Sequence, residues 1–162
     1  MQRGMGWRQL ATDEAVIADA RALAAFLDAQ PQVDRSKPMA VLGTDIGGAH
    51  AFMAARALLQ RVAAVATAHP SAIATARDTS PHLFVGQSRA QYLIQIAEPD
   101  DTREPDDKTD LRTAFAAAGL TAEITVVPAG HGFAVADNPL YDPARAAAFV
   151  EAALALLDAR LN

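Results

Sequence analysis

Cysteine is absent from all 162 residues, so the chain can hold neither a disulfide framework nor a thiolate metal site, and its composition fits a reducing compartment such as the cytoplasm. Aromatic residues make up only 6%, which leaves little material for a large aromatic pocket. The core must instead come from close approach of small aliphatic side chains, alanine above all. Basic residues are scattered, and 14 Lys and Arg against 19 Asp and Glu give a formal net charge of -5. No basic face or run is there to neutralise phosphates, so nucleic acid is not an expected partner. The four histidines, His50, His69, His82 and His131, lack metal-ligand spacing, so a metal site is disfavoured. No apolar run approaches the length of a membrane span, and Met1 to Thr12 carries Arg3 and Arg8 without the apolar stretch of a secretory signal. These absences point to a cytoplasmic protein. The length suits one core, and residues 1–162 read as a single domain.

What is present is an alternation of strand and helix patterns. Val16, Ile17, Ala20, Leu23, Ala24 and Leu27 recur at helical spacing behind Thr12, a good N-cap, with Asp13 and Glu14 at the positive end of the helix dipole. This first helix should end before Pro31. Met39-Ala40-Val41-Leu42 is a short continuous apolar run, as in a buried parallel strand, and a second helix is predicted from about Gly48 to Leu59. Val62 to Ala66 and Tyr92-Leu93-Ile94-Gln95-Ile96 read as further strands, separated by a loop-like stretch from Pro70 to Ser88. Asp107 to Ala118 reads as a helix closed by Gly119, and Ala122 to Val127 as a strand rich in β-branched residues. Asp142-Pro143 opens a terminal helix whose face carries Phe149, Val150, Ala153, Leu154 and Leu157. Such alternation predicts a three-layer α/β/α arrangement with a mostly parallel sheet of about four strands. Ligands of such sheets sit beyond the carboxyl ends of the strands, where Asp45, Asp100 and His131 all fall.

Gly43-Thr44-Asp45-Ile46-Gly47-Gly48 lies between a strand and a helix, the setting of a nucleophile elbow, in which glycines let a strained residue point out of a sharp turn. Here the sequence resembles the dienelactone hydrolase family, whose members carry a glycine-flanked cysteine elbow ending in two glycines. Gln95-Ile96-Ala97-Glu98-Pro99-Asp100 resembles that family's strand and acid, and Ala129-Gly130-His131-Gly132-Phe133-Ala134 its histidine loop; Tyr141-Asp142-Pro143 matches as well. The likeness spans roughly residues 12 to 160 and makes the chain the C-terminal half of an α/β-hydrolase. It implies Asp45 at the nucleophile site, Asp100 as the acid that orients the base, and His131 as the base, in the chain order of that fold. Asp101 is a rival for the acid. Ile46, His69 and Phe133 are expected to line a small-molecule site. The implied activity is hydrolysis of a small ester or lactone, without a cofactor.

Two departures qualify this expectation. Asp45 stands in place of the family's cysteine, and a carboxylate attacking an ester would form an anhydride, a poor route to hydrolysis. Asp is productive when it displaces from saturated carbon, as in dehalogenases and epoxide hydrolases of the same fold. Alternatively the elbow is degenerate and Asp45 merely caps the following helix. The family's first strands and the loop after its third strand, which supplies an oxyanion donor, also have no counterpart, so a catalytically impaired or non-catalytic protein of hydrolase fold is a further reading. Leu42 to Ala49 resembles the Asp-Ile-Gly-Gly phosphate loop of sugar kinases too. That loop lies in a β-hairpin, whereas a helical pattern follows here and no second phosphate loop is found. Without the family's first strands, Met39 to Leu42 should lie on a sheet edge, open to pairing in a homodimer unless Trp7 and Leu10 cover it.

Overall fold

The computed structural model describes residues 11–162. Met1 to Leu10 lie outside these, and with them the alternative of cover by Trp7 and Leu10 and the reading of Arg3 and Arg8. Helix α1 (Asp13–Asp28) leads to strand β1 (Met39–Thr44), helix α2 (Ile46–Leu58) and strand β2 (Val62–Ala68). Strand β3 (Gln91–Ala97) follows, then the short α3 (Glu98–Arg103), α4 (Asp107–Ala118), β4 (Ala122–Val127) and α5 (Pro143–Leu161). The four strands form one sheet in the order β1-β2-β3-β4, every neighbouring pair parallel.

Local chemistry sets these boundaries. The Thr12 hydroxyl accepts the Ala15 amide at 3.2 Å, and the Asp142 carboxylate accepts the amides of Ala144 and Arg145 at 3.0 Å each. Each cap satisfies helix-end donors that would otherwise lack partners, worth typically about 1 kcal/mol. Gly119, at φ 65, closes α4 in the left-handed conformation that glycine adopts at little cost. Two segments differ from the sequence reading. Pro81–Gln87, within the expected loop, forms a 3-10 helix, and Glu98–Arg103, given no element in the sequence reading, forms α3.

The period-2 pattern of the strands divides two cores. Val65 and Tyr92 are register partners on one face and pack with Phe52 and Ala55 of α2 and Leu111 and Phe115 of α4. Ala66 and Leu93, also partners, face the other way and pack with Phe133 and with Phe149 and Ala153 of α5. Full burial of each Leu or Phe contributes roughly 1.5–3 kcal/mol. The second face is thinly covered. Leu42, in register with Ala66, is 51% exposed, and Val150 and Leu154 of α5 point to solvent although the apolar pattern placed them with Phe149. One helix over a sheet buries a stripe narrower than the five residues the pattern marks. Helix α1, which packs on α2, buries Ala24 and leaves Leu23 and Leu27 exposed. Strand β1 pairs with β2 alone and forms one edge of the described sheet, as expected. No helix among the described residues is long and apolar enough to cross a membrane.

Candidate functional site

Between the end of β1 and the start of α2 a single residue turns the chain. Asp45 has φ 50 and ψ −127, a conformation that costs a non-glycine residue about 1–3 kcal/mol and persists only when its surroundings enforce it. Two glycines make the turn possible. A Cβ on Gly43 would collide with the Gly47 carbonyl, and one on Gly48 would collide with Pro70, so the segment leaving β2 lies directly against the turn. The Asp45 carbonyl accepts the amides of Gly48 and Ser71, each at 2.9 Å. The Asp45 side chain makes no capping hydrogen bond, which removes the helix-cap reading. It accepts the Ser71 hydroxyl at 2.6 Å through Oδ1 and is 54% exposed.

The second carboxylate is in the opposite situation. Asp100, 8% exposed, uses both oxygens: Oδ1 accepts from Arg103 Nη2 at 2.7 Å, and Oδ2 lies 2.7 Å from His131 Nδ1. An ionised carboxylate only accepts, so this contact assigns the Nδ1 proton to the ring. The adjacent Asp101 instead pairs with Lys108 at 2.8 Å. His131 comes from the loop after β4, and its Nε2 faces Asp45 Oδ1 at 3.4 Å, too far for a strong hydrogen bond. Asp45, Asp100 and His131 therefore converge beyond the carboxyl ends of the sheet, on its β1, β3 and β4 strands.

The three residues expected to line a substrate site divide. Ile46 lies beside Asp45 in a cleft of about 540 Å³ that also meets His50, Met53, Thr75 and Arg77. Phe133 has no exposed surface and belongs to the α5 core, so it supports the histidine loop from below and cannot touch a ligand. His69 is likewise buried, 1% exposed, with its ring edge-on to those of His131 and Phe133 at 5.1 and 5.2 Å. Neither of its ring nitrogens has a hydrogen-bond partner among the described residues. Burial, and then the neighbouring His131, push its pKa below the usual imidazole range. Two residues at the site escaped the sequence reading, Ser71 and Arg103. Ser71 directly follows His69-Pro70, and Arg103 stands one helical turn beyond Asp100; these positions were the only signals. No group of three or more His, Asp or Glu able to hold a metal ion occurs among the described residues.

A parallel sheet flanked by helices, with a carboxylate at a strained strand-to-helix turn, is the architecture of α/β-hydrolases. The sequence matches the Dienelactone hydrolase family over residues 2–161, and the chain belongs to that family. No curated protein matches it. Among solved structures it is similar to the protein m3DLH, with 22% identity and a TM-score of 0.75 over 92% of this chain and 62% of that one. A candidate dienelactone hydrolase from Klebsiella pneumoniae subsp. pneumoniae gives 22% and 0.77 over 90% of this chain and 61% of that one. A dienelactone hydrolase-like promiscuous phosphotriesterase from metagenomic libraries gives 21% and 0.73 over 100% and 66%. At these identities the likeness concerns the fold, and the chain spans less than two thirds of each of these structures.

Proposed function

We propose that the protein hydrolyses a small carbon-centred substrate, with Asp45 in the place of the family's nucleophile, His131 as the base and Asp100 as the acid that orients it. The observation that carries this reading is the 2.7 Å bond from His131 Nδ1 to the buried Asp100, with Nε2 turned toward Asp45. A neutral ring that commits its Nδ1 proton to Asp100 keeps a lone pair at Nε2, which can take a proton from water. Family membership favours esters and lactones as the substrate class. With Asp45 where the family has cysteine, the chemistry suited to its own carboxylate is displacement at saturated carbon. Opening an epoxide or expelling halide would leave an alkyl ester on Asp45, which water activated by His131 would cleave to release the alcohol and restore the carboxylate. Ser71 holds Oδ1, so Oδ2 is the atom free to attack. The absence of cysteine makes a cytoplasmic location part of the same reading.

Incubation with an epoxide or a haloacid, followed by peptide mapping, tests the assignment. A covalent adduct is expected on Asp45, and it should accumulate in His131→Ala because the intermediate can no longer be hydrolysed. An unlabelled Asp45 in both proteins would refute the nucleophile. The exposed Leu42 edge favours a second reading, a hydrolase-fold protein that acts through its surface and pairs with a second copy along β1.

A further inference from the structure

For acyl substrates the proposed hydrolase site, on which this inference rests, contains a better attacking group than Asp45. We infer that Ser71 is the acyl-accepting nucleophile, with Asp45 and His131 as its proton acceptors. The Ser71 hydroxyl lies 2.6 Å from Asp45 Oδ1, and because an ionised carboxylate has no proton to give, the hydroxyl is the donor. The same carboxylate oxygen faces His131 Nε2 at 3.4 Å, so hydroxyl and imidazole converge on one atom.

The backbone holds Ser71 there by several independent means. Its amide donates to the Asp45 carbonyl at 2.9 Å. It sits between two non-glycine residues with positive φ, His69 at 38 and Ala72 at 57, and Pro70 before it fixes its own φ. Backbone strain of this kind gathers at functional sites, where it stores preorganisation. Gly48 has room for no Cβ because Pro70 occupies that space, so the second glycine of the turn is what lets Ser71 close on Asp45. Ser71 is half-buried and lines a cleft that also meets Asp100.

The chemistry resolves the difficulty that Asp45 presents with esters. Ser71 Oγ bonds to the acyl carbon and its proton passes to Asp45 Oδ1. The carbon–oxygen bond to the leaving group breaks, and the departing alkoxide takes a proton from the Asp45 and His131 pair. What remains is an ordinary ester on Ser71 rather than an anhydride on Asp45. A water that yields a proton to His131 Nε2 then attacks this ester, releasing the carboxylic acid and returning the proton to Ser71 Oγ. No oxidant, reductant or metal enters the balance.

The test combines p-nitrophenyl acetate turnover with peptide mapping after a fluorophosphonate. The expected adduct is on Ser71, with turnover lost in Ser71→Ala and reduced by about 10²–10⁴ in Asp45→Asn, whose amide cannot take the proton. Ser71→Cys should recover acylation through its thiol, which separates lost chemistry from lost folding. Wild-type turnover in Ser71→Ala, an adduct elsewhere, or no acylation of the wild type would each overturn the proposal. If turnover disappears in His131→Ala yet persists in Ser71→Ala, the hydrolase reading stands and Ser71 alone falls. If the wild type turns over no ester but alkylates at Asp45, the same conclusion holds.

Discussion

The carboxyl ends of β1 and β3 each deliver a carboxylate to the same histidine, but they do so by opposite means. At β1 the backbone is strained and the side chain free: Asp45 has positive φ, is 54% exposed and receives one hydroxyl. At β3 the backbone is an ordinary first helical turn and the side chain is fixed: Asp100 is 8% exposed, held by Arg103 on one oxygen and His131 on the other. A saturated, buried carboxylate can orient and compensate charge but has no lone pair directed at a substrate. An exposed carboxylate with one unoccupied oxygen can react but cannot hold a ring in place. On the proposed function, this contrast makes one acid a support and the other a reactant, and each side of that division can be broken separately.

The largest expected effects are at these two acids. Asp100→Ala should reduce any hydrolytic or dealkylating step that uses His131 by about 10²–10⁴, because the ring loses both its tautomer preference and its orientation. The same change should lower stability by about 1–3 kcal/mol in chemical denaturation, through the buried contacts it removes. Asp45→Ala should abolish alkylation while leaving stability within about 1 kcal/mol. Equal destabilisation by the two variants would contradict the contrast.

Acidity offers a finer probe. His69 is held neutral by burial, so its folded-state pKa is below that of the unfolded chain. As pH falls below about 6.5, the unfolded chain takes up a proton that the folded one refuses, and stability declines. Asp107 at the start of α4 acts in the other sense. Burial first, then Glu104, Asp110 and Asp106, raise its pKa to about 6 from 3.8, so stability falls as pH rises across that interval and then levels off. Once screening by solvent is allowed for, the Asp107 contribution is on the order of 1 kcal/mol. Urea midpoints between pH 4 and 8 should therefore decline on acidification more steeply in Asp107→Asn than in the wild type, and more shallowly in His69→Phe. Parallel curves for all three proteins would refute both assignments.

The smallest expected effect concerns the exposed edge. If β1 pairs with a second copy, Leu42→Lys should shift the sedimenting species toward monomer with under about 1 kcal/mol change in stability, since the residue is half exposed. Identical sedimentation of wild type and variant across a concentration series would exclude the β1 edge as a dimer contact.

Much of the frame was legible in the sequence because it depends on short-range chemistry. Thr12, Asp142 and Gly119 each announce a helix end within four residues, and the apolar runs at Met39, Val62, Tyr92 and Ala122 mark all four strands. The choice between Asp100 and Asp101 was not legible, because two adjacent acids leave the register open. As helix α3 the segment turns about 100° per residue, which directs one carboxylate inward to His131 and the next outward to Lys108. Ser71 was invisible for a different reason: its partner Asp45 is 26 residues away, and the pairing of β1 with β2 and the packing of Pro70 on Gly48 bring them together. Val150, Leu154 and Phe133 show the limit of periodicity, which tells apolar from polar but not which apolar residues the neighbouring layer can cover.

The collision that forbids a side chain on Gly48 also decides what can be exchanged at this site. Because Pro70 is seated against that glycine and the Ser71 amide grips the Asp45 carbonyl, the two segments are fastened by main chain, independently of the side chain at position 45. The shape of the turn is thus set by Gly43, Gly48 and the β2 exit, while residue 45 projects from it as from a socket. A carboxylate, a thiol or a hydroxyl can occupy that socket against an unchanged histidine and acid. On the proposed function, a single substitution would carry the scaffold from one reaction to another, because the strained backbone of residue 45 is enforced by neighbours that the substitution leaves in place.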